Sequence, residues 1–308
     1  VEGKTIGVDA TTLEANAALR SIVRRDTGES YEAFLLGLAK ASGIETPTRE
    51  DLARLDRKRP KKGSNDDWTH PHDPDARITK MKDGRTHLAH KAEHAVDLKT
   101  GAVIAVTIQP ADKGDTETIK ETLITAAENL EKIKPQTDGV REVVADKGYH
   151  SNELLKDLRV LGIRTYISEP VRGPRHWQED PAAREAVYAN RRRIRGTRGR
   201  RLLRQRGEYL ERPFAHAYET GGLRRLYLRG RFNILKRVLI HVAALNLALL
   251  MRVLVGVGTP RSLQGRVCGL FSRLVLLWRQ IDDRYCTGSL AARLVTICSI
   301  IISATVYF

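Results

Sequence analysis

Cysteine is nearly absent from this chain of 308 residues: Cys268, Cys286 and Cys298 fall in its last stretch and none in its body. Three widely spaced thiols suit neither a disulfide framework nor a zinc site, and they point to a reducing compartment, the cytoplasm. No signal peptide opens the chain. It begins Val1-Glu2-Gly3-Lys4, and the lack of an initiator Met points to a fragment with an upstream part lost. No internal repeat is visible. Residues 294–308 are almost wholly uncharged and apolar, but the run is shorter than the roughly 20 residues a spanning helix needs. It reads as a packed or frayed tail, and no membrane partner is expected. Acids are the other deficit. Against 53 Lys and Arg stand 37 Asp and Glu, a formal net charge of +16 and a pI near 10.0. Such a surplus favours polyanionic partners through phosphate contacts and counterion release.

Hydrophobic residues at 41% and charged residues at 29% allow an ordinary folded core. Residues 5–9 (TIGVD) form a β-branched run that reads as a buried strand closed by Asp9. Residues 14–46 carry helical patterning, with Tyr31, Phe34, Leu35 and Leu38 on one face. From 49 to 83 the chain is charged, poor in apolar residues and broken by Pro60, Gly63, Pro71 and Pro74, which predicts an exposed insertion or flexible linker. Residues 94–97 and 103–106 flank a Gly101-containing turn as a β-hairpin. A helix is expected over 115–132, capped by Asp115 or Thr116, with Ile119, Leu123, Ile124, Ala127 and Leu130 as its stripe. A second acid-ended strand covers 140–146. Ser151 caps a helix that Gly162 closes, and a strand follows at 164–167. This order predicts an α/β fold, a mixed sheet with helices packed against it. The divisions are 1–24, holding the first strand; a charged insertion or linker at 25–86; 87–255, the rest of the domain with a basic loop at 170–206; and an apolar tail at 256–308. A long apolar helix is expected over about 232–255.

Both acid-ended strands place a carboxylate at the edge of the sheet where α/β sites usually sit. Cutting a phosphodiester in neutral water takes a nucleophile and charge relief on the attacking and leaving oxygens. Two Mg²⁺ ions about 4 Å apart supply both, held by hard oxygen ligands drawn from distant parts of the chain. Asp9 and Asp146 are candidates of that kind, although each also reads as a strand-end or turn Asp.

Four segments in sequence order carry a resemblance: TIGVDATTLEAN, HKAEHAVDLKTGAVIAVTIQPAD, ADKGYHS and LERPFAHAYETGGLRRLYLRGRFNILKRVLIHVAALNL. They resemble the first-acid, hairpin, second-acid and third-acid regions of bacterial insertion-sequence transposases of the DDE type. The resemblance implies a ribonuclease-H-like catalytic fold and two Mg²⁺ (or Mn²⁺) ions held by Asp9, Asp146 and Glu211. Glu208, one turn earlier, is the alternative third acid. Pro213 suggests that the helix bearing them starts late, near Leu210. Ala217 stands where related transposases often carry Lys. The implied activity is metal-dependent cleavage at transposon ends followed by 3′-OH strand transfer into double-stranded DNA, by a homodimer when DNA-bound. A non-catalytic DNA-binding remnant and a ribonuclease-H-like nuclease that only hydrolyses are the alternatives.

Arg191, Arg192, Arg193, Arg195, Arg198, Arg200, Arg201, Arg204 and Arg206 form a block without an acid just before the third acid. It is expected to bind phosphates, extended by Arg224, Arg225 and Arg229, with Lys147 beside the second acid. Tyr149 either stacks on an unpaired base or packs in the core. His87, His90 and His94 have metal-like spacing, but on a strand His87 points away from the other two, so no zinc is expected. Asp97, Asp112 and Asp115 read as turn and cap residues.

Overall fold

The computed structural model describes residues 1–259 except 60–62, 82, 134, 136–138, 172, 174–176 and 178–179, together with 269, 272–277 and 279. The expectations for the three cysteines and the 294–308 run lie outside these residues. The elements follow the order β1 (Thr5–Glu14), β2 (Val23–Arg24), α1 (Tyr31–Ala41), α2 (Arg49–Lys58), β3 (Trp68–Thr69), β4 (Arg77–Lys80), β5 (Thr86–Asp97) and β6 (Val103–Pro110). They continue as α3 (Asp115–Ile133), β7 (Glu142–Ala145), α4 (Asn152–Val160), β8 (Arg164–Ile167), α5 (Pro181–Arg195), α6 (Thr197–Ala215) and α7 (Arg231–Val255).

A six-stranded sheet organises the first compact unit, residues 1–246. β1 runs antiparallel to β5 on one side and parallel to β7 on the other, and β7 carries β8 in parallel. The far edge of β5 is shared: β6 pairs with its second half and β4 with its first. A hairpin strand, a central first strand and two parallel strands reached through helices make the ribonuclease-H-like arrangement. β1 does not stop at Asp9, as residues 5–9 alone suggested. The long partner β5 carries it on to Glu14, so Asp9 lies mid-strand.

Strand alternation sorts the side chains to two faces. Ile6, Val8 and Val143 pack on one face against Ile119, Leu123 and Leu130 of α3, Leu154 and Leu158 of α4, and Val187 of α5. Leu13, Val96, Val106 and Val144 pack on the other against Leu202 and Leu210 of α6 and Ile234 and Val238 of α7. The α3 stripe is Ile119, Leu123, Ala126 and Leu130; Ile124, assigned to it from sequence, is 60% exposed. Gly7 lets α6 close on the sheet. A Cβ there would stand 2.6 Å from Leu210 Cδ1 and 2.8 Å from Leu98 Cδ2.

Two regions are decided by packing. Of the two readings of 25–86, an exposed insertion or a flexible linker, the described residues there form a packed insertion. Trp68 is buried with Ile22, Ala76 and Leu88, and the ring edges of Tyr31 and Phe34 meet it at centroid distances of 5.1 and 5.3 Å. Arg24 stacks over Phe34 and Trp68, while Arg59 lies over Tyr31 and pairs with Asp56 at 2.6 Å. Few apolar residues suffice because the arginines cover the aromatic faces. The basic loop at 170–206 is largely helical: α5 and α6 meet at Gly196. Arginine is a good helix former, and Ala183, Ala186, Val187, Asn190 and Leu202 supply a buried stripe.

α7 is long and apolar enough to cross a membrane by length and composition, with a mean hydropathy of 2.2. Its Ile234, Val238 and Val242 are buried in the core shared with the sheet, and Asn246 bonds both backbone groups of Val103, at 2.9 and 2.8 Å. In the second unit, from residue 247, Leu247, Leu250, Val253 and Leu254 are exposed and Val257 is buried.

Candidate active site

The β1–β7 register brings the two acids together. Thr5 stands opposite Glu142, Ile6 opposite Val143 and Gly7 opposite Val144. Continued by two residues, the same offset sets Asp9 against Asp146, on strands about 4.8 Å apart. β7 ends at Ala145 while β1 runs on to Glu14, whose edge is met by a parallel bridge to Arg225 and by the Tyr218 hydroxyl donating to Thr12 O.

Asp146 turns the chain out of β7. Its Oδ1 accepts a hydrogen bond from Gly148 N at 2.8 Å, which starts the short turn 147–149. Asp9 Oδ1 accepts from Ala10 N at 2.9 Å, and its Oδ2 from Arg206 of α6 at 3.2 Å. Burial pushes the Asp9 carboxyl above its ordinary value. The Arg206 guanidinium and the Ala10 N–H oppose that rise, and the charges of Asp146 and Asp115 add to it. Asp9 therefore senses both other acids.

Asp115 keeps the helix-start place read from the sequence. It opens α3, but its carboxylate meets the buried ammonium of Lys91, with Nζ 2.5 Å from Oδ1. Lys91 also donates to Thr118 Oγ1 and the Lys113 carbonyl, at 3.0 and 3.2 Å. Beneath this rim lies Glu93, wholly buried, accepting from Tyr149 Oη at 2.8 Å and from the hydroxyls of Thr118 and Thr122. Burial raises the Glu93 carboxyl, and these donors and Lys91 oppose the rise. Tyr149 is thus a core residue, 1% exposed, with no ring face left for a base; its place as a DNA contact is corrected.

The third-acid segment behaves differently. α6 runs unbroken from Thr197, not from near Leu210, and holds Pro213 inside before a wider turn at His216–Thr220. Leu210 and Pro213 are buried, and Phe214 lies 4.5 Å from the ring of His94. At 100° per residue Glu211 then points away from the sheet. Glu211 is exposed, and Glu208 is exposed and paired with Arg212. The structure brings Asp9 and Asp146 together and brings neither glutamate to them. Among the described residues, no three acid, His or Cys side chains are arranged to hold a metal ion. The pair nevertheless fits Mg²⁺, which takes one or two carboxylates and completes its shell with water and phosphate.

The basic block divides in two. Arg191 binds Glu169 through both carboxylate oxygens, Arg193 bonds Thr165, Arg198 pairs with Glu142 at 2.5 Å, and Arg206 reaches Asp9. Arg192, Arg195, Arg200, Arg201 and Arg204 are exposed, as is Lys147. Arg224 pairs with Glu219, Arg225 approaches Glu14 at 3.9 Å, and Arg229 donates to Asn16 O. His87 lies on the surface beside Asp83 and Glu14, whereas His90 is buried against Asp73 at 3.0 Å. Asp97 accepts from Thr100 in the hairpin turn, and Asp112 lies 3.7 Å from Arg77.

His94 stands opposite Asp9 in the β1–β5 ladder, and burial lowers its imidazole to about 4. The folded state keeps it neutral while an unfolded chain takes up a proton below about 6.5. Stability is therefore expected to fall as pH drops from 6.5 towards 4, by about 3 kcal/mol. Urea unfolding at pH 7 and 4.5 should show a smaller acid loss in His94→Leu. Equal losses in the two proteins would remove His94 as the cause.

A mixed sheet of this strand order, with Asp9 on its central strand and Asp146 at the turn after its first parallel strand, defines a ribonuclease-H-like fold. Residues 58–247 match the family described as Transposase DDE domain, more than half of the chain, and the protein belongs to that family. The matched span holds Asp146 and Glu211 and begins after Asp9. Among solved structures, the catalytic core domain of BIV integrase is 14% identical over 59% of this chain and 90% of that one, with a TM-score of 0.24. The Mos1 transposase paired-end complex with left transposon end is 8% identical over 68% and 56%, with a TM-score of 0.25. Scores this low leave the fold to rest on the strand order itself. No curated protein matches the sequence significantly.

Proposed function

We propose that this chain is a DNA transposase that cleaves strands at transposon ends and transfers the freed 3′-hydroxyl into target DNA. The observation that carries the reading is the β1–β7 register setting Asp9 beside Asp146 in a member of the DDE transposase family. The two carboxylates would hold divalent ions, Mg²⁺ or Mn²⁺. When bound, such ions supply a deprotonated nucleophile and charge relief on the entering and leaving oxygens. Arg206 neutralises Asp9 in the protein alone and is close enough to orient it. Gly148 N donates to Asp146 Oδ1 and so holds that carboxylate against the turn. Double-stranded DNA is the partner, the working unit on paired ends is a homodimer, and the compartment is the cytoplasm.

The exposed arginines of α5 and α6 would grip phosphates while the paired ones hold the scaffold. Replacing Arg192, Arg195, Arg201 and Arg204 by Ala should reduce the slope of log Kd against log salt by about 2–4. An unchanged slope would remove them from the interface, and loss of folding would show them to be structural.

The outward placement of Glu211 favours a second reading, a DNA-binding remnant without catalysis. Incubating wild-type protein with Mg²⁺ or Mn²⁺, supercoiled plasmid and a pre-cut transposon end separates the readings. Joined product supports a transposase and nicking alone a hydrolytic nuclease; binding without either supports the remnant.

A further inference from the structure

The helix α2 of the inserted module sorts its charges by face. Its first turn is closed by a capping box between Thr48 and Asp51, which occupies Asp51 at the helix start. Asp56 turns inward, where its Oδ1 accepts from Tyr31 Oη at 2.7 Å and pairs with Arg59 at 2.6 Å. Leu52 and Leu55 are half-buried on the same inner side. The opposite half of the helix carries Arg49, Arg54, Arg57 and Lys58, all exposed, with Glu50 as the one exposed acid of α2. These five and Ala53 line a shallow surface recess. Arg54 comes no nearer than 3.9 Å to Asp51.

The face is firmly mounted. Tyr31 and Arg59 tie α2 to the Trp68 cluster, whose Ile78 and Leu88 belong to β4 and β5. The module therefore stands at the β4 edge of the sheet, whereas Asn190 of α5 bonds Ile167 of β8 at the other edge. Four strand spacings, about 19 Å, separate those edges, and β1 with Asp9 runs between them. A cationic face without a large apolar or aromatic side chain lacks the anchor that holds a protein partner. A phosphate backbone needs no such anchor, because charge alone positions it. From Arg49 to Lys58 the helix rises about 13.5 Å, over which one strand of a duplex presents about four phosphates.

We propose that the outer face of α2 is a second DNA-backbone contact, separate from the exposed arginines of α5 and α6 and blind to base sequence. The inference rests on the reading of double-stranded DNA as the partner. The two surfaces hold DNA from opposite edges of the sheet, and the strands that carry Asp9 and lead to Asp146 lie between them.

The test is fluorescence anisotropy of two labelled duplexes of unrelated sequence, each titrated with the whole chain over a range of salt. Replacing Arg49, Arg54, Arg57 and Lys58 by Ala should weaken binding to both by about tenfold or more. The slope of log Kd against log salt should fall by about 2–4. When these changes are combined with the replacements in α5 and α6, the slope losses should add, because separate surfaces release separate counterions. Should the fourfold variant melt below wild type, Arg54→Gln with Lys58→Gln removes charge from exposed positions alone, and a slope loss of about 1–2 is then expected. A loss confined to one sequence overturns the proposal, as does wild-type binding at an unchanged slope. Loss of self-association in place of DNA binding also overturns it, and makes the face an interface between copies. If only the α5 and α6 replacements change the slope, this inference falls while the DNA reading stands. If wild-type protein leaves both duplexes free, both fall.

Discussion

Asp146→Asn is expected to reduce metal-dependent nicking by at least about 100-fold while leaving the Kd for DNA within about twofold. Outer partners of metal ligands already cost 10–100-fold when removed, so loss of a direct ligand's charge sets a lower bound at the top of that range. The substitution is suited to the question because Asn keeps the acceptor that Gly148 N uses at 2.8 Å. The turn after β7 therefore survives, and the variant should melt like wild type. Asn lacks the negative charge, and that alone separates ligand from turn residue. Gel-shift and plasmid-nicking assays on the same preparation decide it. Equal loss of binding and nicking would make Asp146 structural, and unchanged nicking would remove it from the site.

Trp68→Ala is expected to destabilise the inserted module by about 3–5 kcal/mol, the range for deleting a large buried aromatic. Trp68 is 3% exposed, and it holds the ring edges of Tyr31 and Phe34 and the Arg24 guanidinium. Limited proteolysis should then cut the variant within residues 25–83 under conditions where wild type resists, with the sheet and α3 surviving longer. Wild type already cut there at the same rate would restore the linker reading, because a linker has no tertiary contact to lose.

The hairpin of β5 and β6, the helix α3, the strand β8 and the Ser151 cap were legible because each is a local pattern. Alternation, a 3.6-residue stripe and a side-chain cap need only neighbouring residues. The module around Trp68 was not. Its prolines and charges match linker composition, and its core is made of aromatics far apart in sequence whose faces are covered by arginines. The arginine block was misread for a related reason. Charge density suggested a loop, while the buried stripe of small residues at Ala183, Ala186 and Asn190 carried the weaker helical signal.

The site shows the same division. Asp9 and Asp146 could be named from their apolar strands, but Asp115 had a sufficient local explanation as a helix-start acid. Only the buried Lys91 of β5 shows that its carboxylate also forms an ion pair. Tyr149 stood beside an acid in a turn, and nothing local could say that its hydroxyl would reach the buried Glu93. For Glu211 the motif was plain and the phase was not. Pro213 suggested a late helix start, whereas packing of Leu210 over Gly7 sets the rotation of α6 and turns Glu211 outward.

By itself, then, the sequence determined the hairpin, α3, α4 and β8, the basic surplus and the two acids on or after buried strands. These are written in short-range periodicity and composition. The tertiary structure decided which acids share a space, which arginines are spent on ion pairs and which face α6 presents. Those depend on strand register and helix rotation, set by contacts between residues more than a hundred positions apart, such as Arg206 with Asp9 and Thr5 with Glu142.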